Sequence, residues 1–104
     1  MSTPLVSVIM NCYNGEQFLR EAIDSIYEQT YQNWEIIFWD NASTDNSAAI
    51  AQSYDNRLRY YLSAGFTSLG MARELAVQKS NGEYVAFLDC DDFWHHSKLS
   101  MQMP

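Results

Sequence analysis

Gly82-Glu83-Tyr84-Val85-Ala86-Phe87-Leu88-Asp89-Cys90-Asp91-Asp92 joins five apolar residues directly to three carboxylates set around one cysteine. A short, wholly apolar run that follows Asn81-Gly82 predicts a strand, Tyr84 to Leu88, buried on both faces. Such strands belong to parallel sheets, and parallel sheets take their ligands at the carboxyl ends of the strands. The stretch therefore predicts an α/β sheet with an acidic site at one edge.

Upstream, apolar runs alternate with helical patterns. Leu5-Val6-Ser7-Val8-Ile9-Met10 is apolar and rich in β-branched residues, and predicts the first strand. Asn14 as N-cap and Gln17 in the capping-box position predict a helix start. Leu19, Ala22, Ile23 and Ile26 follow at helical spacing as its buried stripe, with an end near Gln29 and Glu16, Glu21 and Glu28 on the wet face. Glu35 to Trp39 predicts a second buried strand, running into the polar loop Asp40 to Asp45 and a helix over Asn46 to Tyr54. Leu58 to Leu62 is mixed in polarity, which places a third strand nearer a sheet edge. A helix over Ser68 to Lys79 closes at Asn81-Gly82, and a last short helix starts near Ser97. This alternation implies right-handed βαβ units and a mainly parallel sheet. Three polar clusters, Asn11 to Asn14, Asp40 to Asp45 and Asp89 to Asp92, then share one edge of it.

At 104 residues the chain is one domain at most. With 47% apolar and 14% aromatic residues it is not a disordered chain. No apolar run approaches the roughly 20 residues of a membrane-spanning helix. Met1-Ser2-Thr3-Pro4 lacks the basic and apolar segments of a signal peptide, so a cytoplasmic location is the expectation. A net charge of −7 opposes general attraction to nucleic acid or anionic membrane. Cys12 and Cys90 make neither a disulfide framework nor a zinc site, and are expected as reduced, partly buried thiols.

Neither G-x-x-x-x-G-K-[ST] nor G-x-G-x-x-G is present, so a bound diphosphate needs another source of positive charge. Asp89, Asp91 and Asp92 crowd hard oxygen ligands that suit Mg2+ or Mn2+. The competing reading has Asp91 and Asp92 capping the following helix. Asp40 is either an acceptor for a base N–H or ribose hydroxyl, or a turn residue. Arg73 either reaches a base carbonyl or phosphate, or is solvated. Tyr13 either stacks on a flat ring or plugs the loop from below. Adjacent His95 and His96 read as surface residues, because neighbours in sequence rarely face one ion together. A receiver-type phospho-acceptor site lacks its lysine after a later strand.

Four ordered segments resemble the N-terminal part of family 2 glycosyltransferases, inverting enzymes with the GT-A fold. They are Val6 to Asn14 (V-S-V-I-x-x-x-Y-N), Ser25 to Tyr31 (S-I/V-x-x-Q-T-Y/F), Glu35 to Asp45 (E-I-I-x-x-D-D-G-S-T-D) and Gly82 to Asp92 (G-E-Y-I-A-F-L-D-x-D-D). The resemblance implies a Rossmann-like, mainly parallel sheet of order 3-2-1-4, with residues 1–104 as the nucleotide-diphospho-sugar-binding part. It implies that Asp40 contacts the base, helped by Asn11 and Tyr13, and that Arg73 reaches the base or phosphates. Asp89 is then near the ribose or metal, and Asp91 is the principal ligand of Mg2+ or Mn2+ in a DXD motif. The implied partner is a nucleotide-diphospho-sugar, a UDP-sugar first.

Asn41 and Ala42 depart from the family's D-G, Glu74 from the Asn after Arg73, and Ser97 from a frequent proline. The family's catalytic base and acceptor site lie in a second half with no counterpart in these residues, so no catalytic residue is assigned. The expected chain is a donor-binding half with little activity of its own, or a non-catalytic module that oligomerises or pairs with the missing half. If the first and fourth strands are neighbours, Cys12 and Cys90 end adjacent strands at one edge.

Overall fold

A computed structural model describes residues 3–103. The elements run β1 (Val6–Cys12), α1 (Leu19–Tyr27), β2 (Trp34–Asp40), α2 (Ser47–Ala51), β3 (Leu58–Leu62), α3 (Leu69–Val77), β4 (Tyr84–Phe87) and α4 (Lys98–Gln102). The four strands form one sheet of order β3-β2-β1-β4, with every pairing parallel. This is the sheet order that the family resemblance implies.

The strand period of two divides the core between the two faces. Val6, Val8, Met10 and Cys12 of β1 and Trp34, Ile36 and Phe38 of β2 pack against the α1 stripe, Leu19, Ala22, Ile23 and Ile26. Ile9, Ile37 and Trp39, out of phase with these, pack on the other face against Ala72 and Ala76 of α3. Burying one such aliphatic side chain contributes about 1.5–3 kcal/mol, so the α1 stripe alone anchors the helix.

Three expectations are corrected here. Asn14 does not cap α1, which starts at Leu19 after Phe18 with no side-chain cap. Asn14 instead takes a positive φ of 52°, a region asparagine tolerates, and its side chain crosses to the amide of Thr44. The fourth strand is not buried on both faces. Tyr84, Val85 and Phe87 are 46%, 39% and 48% exposed, because among the described residues the helices pack over β1 and β2 and leave the faces of the edge strand β4 largely uncovered. The helix predicted over Asn46 to Tyr54 is also shorter, Ser47–Ala51. No described helix is long and apolar enough to cross a membrane.

The start of β4 is held by a polar junction under the α3 face. Ser7 donates to Glu35 Oε2 at 2.6 Å and accepts the Gly82 amide at 2.8 Å. A Cβ at Gly82 would lie 2.5 Å from Ser7 Oγ and 2.7 Å from the Ser7 amide nitrogen, so only glycine allows this approach. Glu35 also accepts from the Asn81 amide at 2.8 Å and pairs with Arg59 at 2.9 Å. Burial by itself would raise the Glu35 carboxyl, but the Ser7, Asn81 and Arg59 contacts outweigh it and hold it below its ordinary 4.5. A carboxyl depressed on folding stabilises the fold above its unfolded pKa and loses that contribution as pH falls through the folded value. Acid titration followed by circular dichroism should show stability declining below pH 4.5. Glu35→Gln should be less stable at neutral pH and should show a shallower decline.

Candidate functional site

Parallel pairing carries the ends of β1, β2 and β4 to one edge, and the polar clusters with them. The loops after β1 and β2 are stitched together there. The amides of Asn14, Gly15 and Glu16 donate to Ser43 Oγ, Ser47 Oγ and Asp45 Oδ2 at 2.9, 3.0 and 3.1 Å. In return, the Thr44 amide donates to Asn14 Oδ1 at 2.7 Å. Burial would raise the Asp45 carboxyl, but its bonds from Ser47 and Glu16 prevail and lower it.

Two joined lobes open at this edge. The larger, about 450 Å³, is walled by Asn14, Gly15, Asp89, Cys90 and Asp91. The smaller, about 190 Å³ and mostly apolar, is walled by Asn41, Phe66, Thr67 and Ala72. Asn11, Tyr13 and Leu69 line both. Asn11 Oδ1 is buried without a hydrogen-bond partner among the described residues. An unmet buried acceptor costs about 1–3 kcal/mol, which a ligand donor would recover. Tyr13 is 49% exposed and meets Phe66 edge-to-face at 4.9 Å, giving the smaller lobe an aromatic rim.

The acidic residues divide. Asp89 and Asp91 are exposed and face the larger lobe. Arg73 reaches Asp89 at 3.6 Å and lies over the Phe87 ring at 5.4 Å. Asp92 turns back to accept the Phe93 amide at 2.8 Å. Neither Asp91 nor Asp92 caps a helix, since α4 starts only at Lys98, and that expectation is set aside. No group of three or more His, Cys, Asp or Glu among the described residues is arranged to enclose a metal. Two exposed carboxylates do fit Mg2+ or Mn2+, which complete their shells from water and ligand phosphates.

Asp40 is not brought to either lobe. Its register partner is Cys12, whereas Asn11 pairs with Trp39, so the Asp40 side chain takes the opposite sheet face from Asn11. It is 0% exposed, accepting the Ser43 amide at 2.8 Å and the Tyr60 hydroxyl at 2.5 Å. Burial and the carboxylate push the Tyr60 hydroxyl up, so it remains a donor. Cys12 and Cys90 are neighbours in one apolar cluster. The adjoining Cys90 thiol and burial raise the Cys12 thiol, while the adjoining Cys12 thiol lowers Cys90. His95 and His96 are exposed, with rings 4.2 Å apart.

Asn41, Phe66 and Thr67 were not foreseen. Asn41 Nδ2 donates to the Thr67 carbonyl at 2.7 Å, while Asn41 Oδ1 accepts from the Thr67 amide and hydroxyl, both at 2.9 Å. An amide satisfies both sides of this clamp, and a carboxylate satisfies only one. The departure from the family's D-G at Asn41 was its one available signal.

The Glycosyl transferase family 2 model matches residues 7–104, and the chain belongs to that family. It is 37% identical to the putative teichuronic acid biosynthesis glycosyltransferase TuaG of Bacillus subtilis, over 96% of this chain and 41% of that protein. It is 36% identical to UDP-Glc:alpha-D-GlcNAc-diphosphoundecaprenol beta-1,3-glucosyltransferase WfgD of Escherichia coli, over 99% of this chain and 41% of that protein. The fold matches S. aureus TarS 1-349 in complex with UDP-GlcNAc, with a TM-score of 0.88 and 28% identity over 93% of this chain and 29% of that one. It also matches the mannosyltransferase PcManGT of Pyrobaculum calidifontis in complex with GDP-Man and Mn2+, with a TM-score of 0.86 and 28% identity over 96% of this chain and 31% of that one. The chain thus spans about two fifths of the length of these two curated relatives and has the GT-A architecture.

Two substitutions test the second loop. Asn41→Asp sets a carboxylate against the Thr67 carbonyl and should destabilise the protein by about 1–3 kcal/mol, read as a lowered urea midpoint. Ala42 holds a positive φ of 64°, where the family has glycine. Ala42→Gly should stabilise the protein by roughly 0.5–1 kcal/mol once the unfolded-state entropy of glycine is deducted, read as a raised urea midpoint.

Proposed function

We propose that this chain is the donor-binding part of a family 2 glycosyltransferase that binds a nucleotide-diphospho-sugar with Mg2+ or Mn2+. The observation that carries the reading is the junction of an apolar, aromatic-rimmed lobe with an acidic one, and the unpartnered Asn11 Oδ1 between them. The base occupies the smaller lobe, with Tyr13 against its ring and Asn11 Oδ1 accepting a base N–H. The diphosphate crosses Leu69 into the larger lobe. Arg73 offers it a cation, and Asp91 with Asp89 hold the metal. When bound, such a metal acts as a Lewis acid on the departing nucleoside diphosphate. A base contact by Asp40 requires its side chain to leave Ser43 and Tyr60 and turn towards the cleft; as it stands, Asp40 braces the second loop through the Ser43 amide. The complexes of TarS with UDP-GlcNAc and of PcManGT with GDP-Man and Mn2+ support this class of ligand. In the whole protein, sugar transfer with inversion further requires a carboxylate on the far side of the sugar to deprotonate the acceptor.

A second reading, an oligomerisation or pairing module, is favoured by the exposed apolar residues of β4. A clean monomer in light scattering at high concentration would dismiss it.

Isothermal titration of UDP with and without Mn2+ tests the first reading. Binding should be stronger with the metal. Asp91→Asn should weaken that metal-dependent part by at least about tenfold, the loss that even an outer partner of a metal site causes. Equal, negligible heat in a protein shown to be folded would overturn it.

A further inference from the structure

We propose that Cys12 and Cys90 form a redox-active dithiol whose oxidation to a disulfide ties the Asp89–Asp92 loop to the end of β1. Three observations of geometry carry this. First, β1 and β4 are paired neighbours with Ile9 opposite Phe87, and the Leu88 amide continues the ladder to the Ile9 carbonyl at 3.1 Å. Cys12 and Cys90 lie equally far beyond that pair. Cys12 ends β1 and Cys90 lies in the turn that follows β4, and a disulfide needs roughly 4.4–6.8 Å between Cα atoms. Second, both side chains pack in one apolar cluster, Cys12 within it and Cys90 against it. Third, both sulfurs crowd a single point: a Cβ at Gly15 would lie 2.6 Å from Cys90 Sγ and 2.9 Å from Cys12 Sγ. Gly15 is thus the residue that lets the first loop close over the pair.

The two thiols differ in access. Cys12 is 1% exposed, whereas Cys90 is partly exposed and walls the larger lobe. An oxidant of the small-molecule disulfide class, such as oxidised glutathione, therefore meets Cys90 first. Cys90 sulfur displaces one glutathione thiolate, forming a mixed disulfide. Cys12 sulfur then attacks Cys90 sulfur and displaces the second. The two protein thiols lose two electrons and two protons, and the oxidant leaves as two thiols. Two packed thiols without redox chemistry would share the burial of Cys12, but they would not need Cys90 open to the cleft.

The dithiol stands on the protein alone; its consequence for metal binding rests on the proposed function of Asp89 and Asp91. The protein is equilibrated in glutathione buffers from reducing to oxidising, quenched in acid, alkylated and mapped by peptide mass. A Cys12–Cys90 linkage should form without denaturant, reverse with dithiothreitol, and raise Tm by roughly 5 °C or more, because it closes a long loop. Two free thiols at the most oxidising poise, a persistent glutathione adduct on Cys90, or a lowered Tm would overturn the proposal. Cys12→Ser and Cys90→Ser should each abolish the oxidant-dependent shift, and its persistence in either would count equally against the pair. Mn2+ titration of the two redox forms should show roughly tenfold weaker binding when oxidised, the scale on which partners of metal ligands act. Equal affinities would refute the coupling to the loop. Absence of Mn2+ binding in both forms would instead count against the donor-site reading, leaving the thiol result to decide the dithiol.

Discussion

The parallel pairing of β1 with both β2 and β4 is the constraint on which the site depends. Because β1 is flanked on both sides, its backbone is fully engaged and its residues alternate between two buried faces. Parallel registration also brings three successive loops out at one edge. Those loops have no regular structure of their own and are held by side-chain-to-backbone bonds instead: Ser43, Asp45 and Ser47 on the first loop, Asp40 within the second, Asn41 on the segment before α3. The cleft is a by-product of strand register, shaped by polar residues that satisfy the loop backbone.

Below the acidic loop, the chain from Trp94 to Leu99 is fastened to the far end of α1. Gln29, 1% exposed, donates to the Ser25 and His95 carbonyls at 3.0 and 2.7 Å and accepts the Leu99 amide at 3.0 Å. Ser25 Oγ accepts the Trp94 amide at 3.0 Å. A buried amide with its donor and acceptor both used is a specific joint, since an apolar replacement would orphan several backbone groups. This gives a structural reason for the Ser25–Gln29 pattern at the end of α1. The Asp89–Asp92 loop is therefore gripped on both sides, by β4 before it and by this strap after it.

Much of this was legible in the sequence. Four strands and the α1 stripe were readable because apolar periodicity reports burial directly. What failed had other causes. The capping reading of Asn14 assumed a local bond, yet its side chain went across the loop to Thr44, a partner thirty residues away. An apolar composition of β4 could not say that its faces would be left largely uncovered among the described residues. The Asp40 orientation depends on register: one step separates the partner of Asn11 from the partner of Cys12, and that step decides which face a side chain takes. Asn41 and Ala42 were visible only as departures. Their reasons, a two-sided amide clamp and a left-handed backbone, belong to three-dimensional contacts.

The charge balance sharpens what the acidic run means. Of the six basic residues, Arg59 is committed to Glu35, Arg57 lies over Trp34 at 3.4 Å, and Lys79 and Lys98 lie beside Tyr61 and Trp94. Arg20 stands next to Tyr54 on the α1 side of the sheet. Arg73 is left as the basic residue at the cleft, and it already faces Asp89. A single exposed guanidinium contributes modestly in water and cannot neutralise a diphosphate. The cleft wall meanwhile adds the carboxylates of Asp89 and Asp91, which would repel that ligand directly. An acidic wall and a phosphorylated donor are compatible when a divalent cation lies between them, turning two repulsions into two attractions. Asp91 thus derives its proposed role from what the chain lacks nearby as much as from its place in the motif.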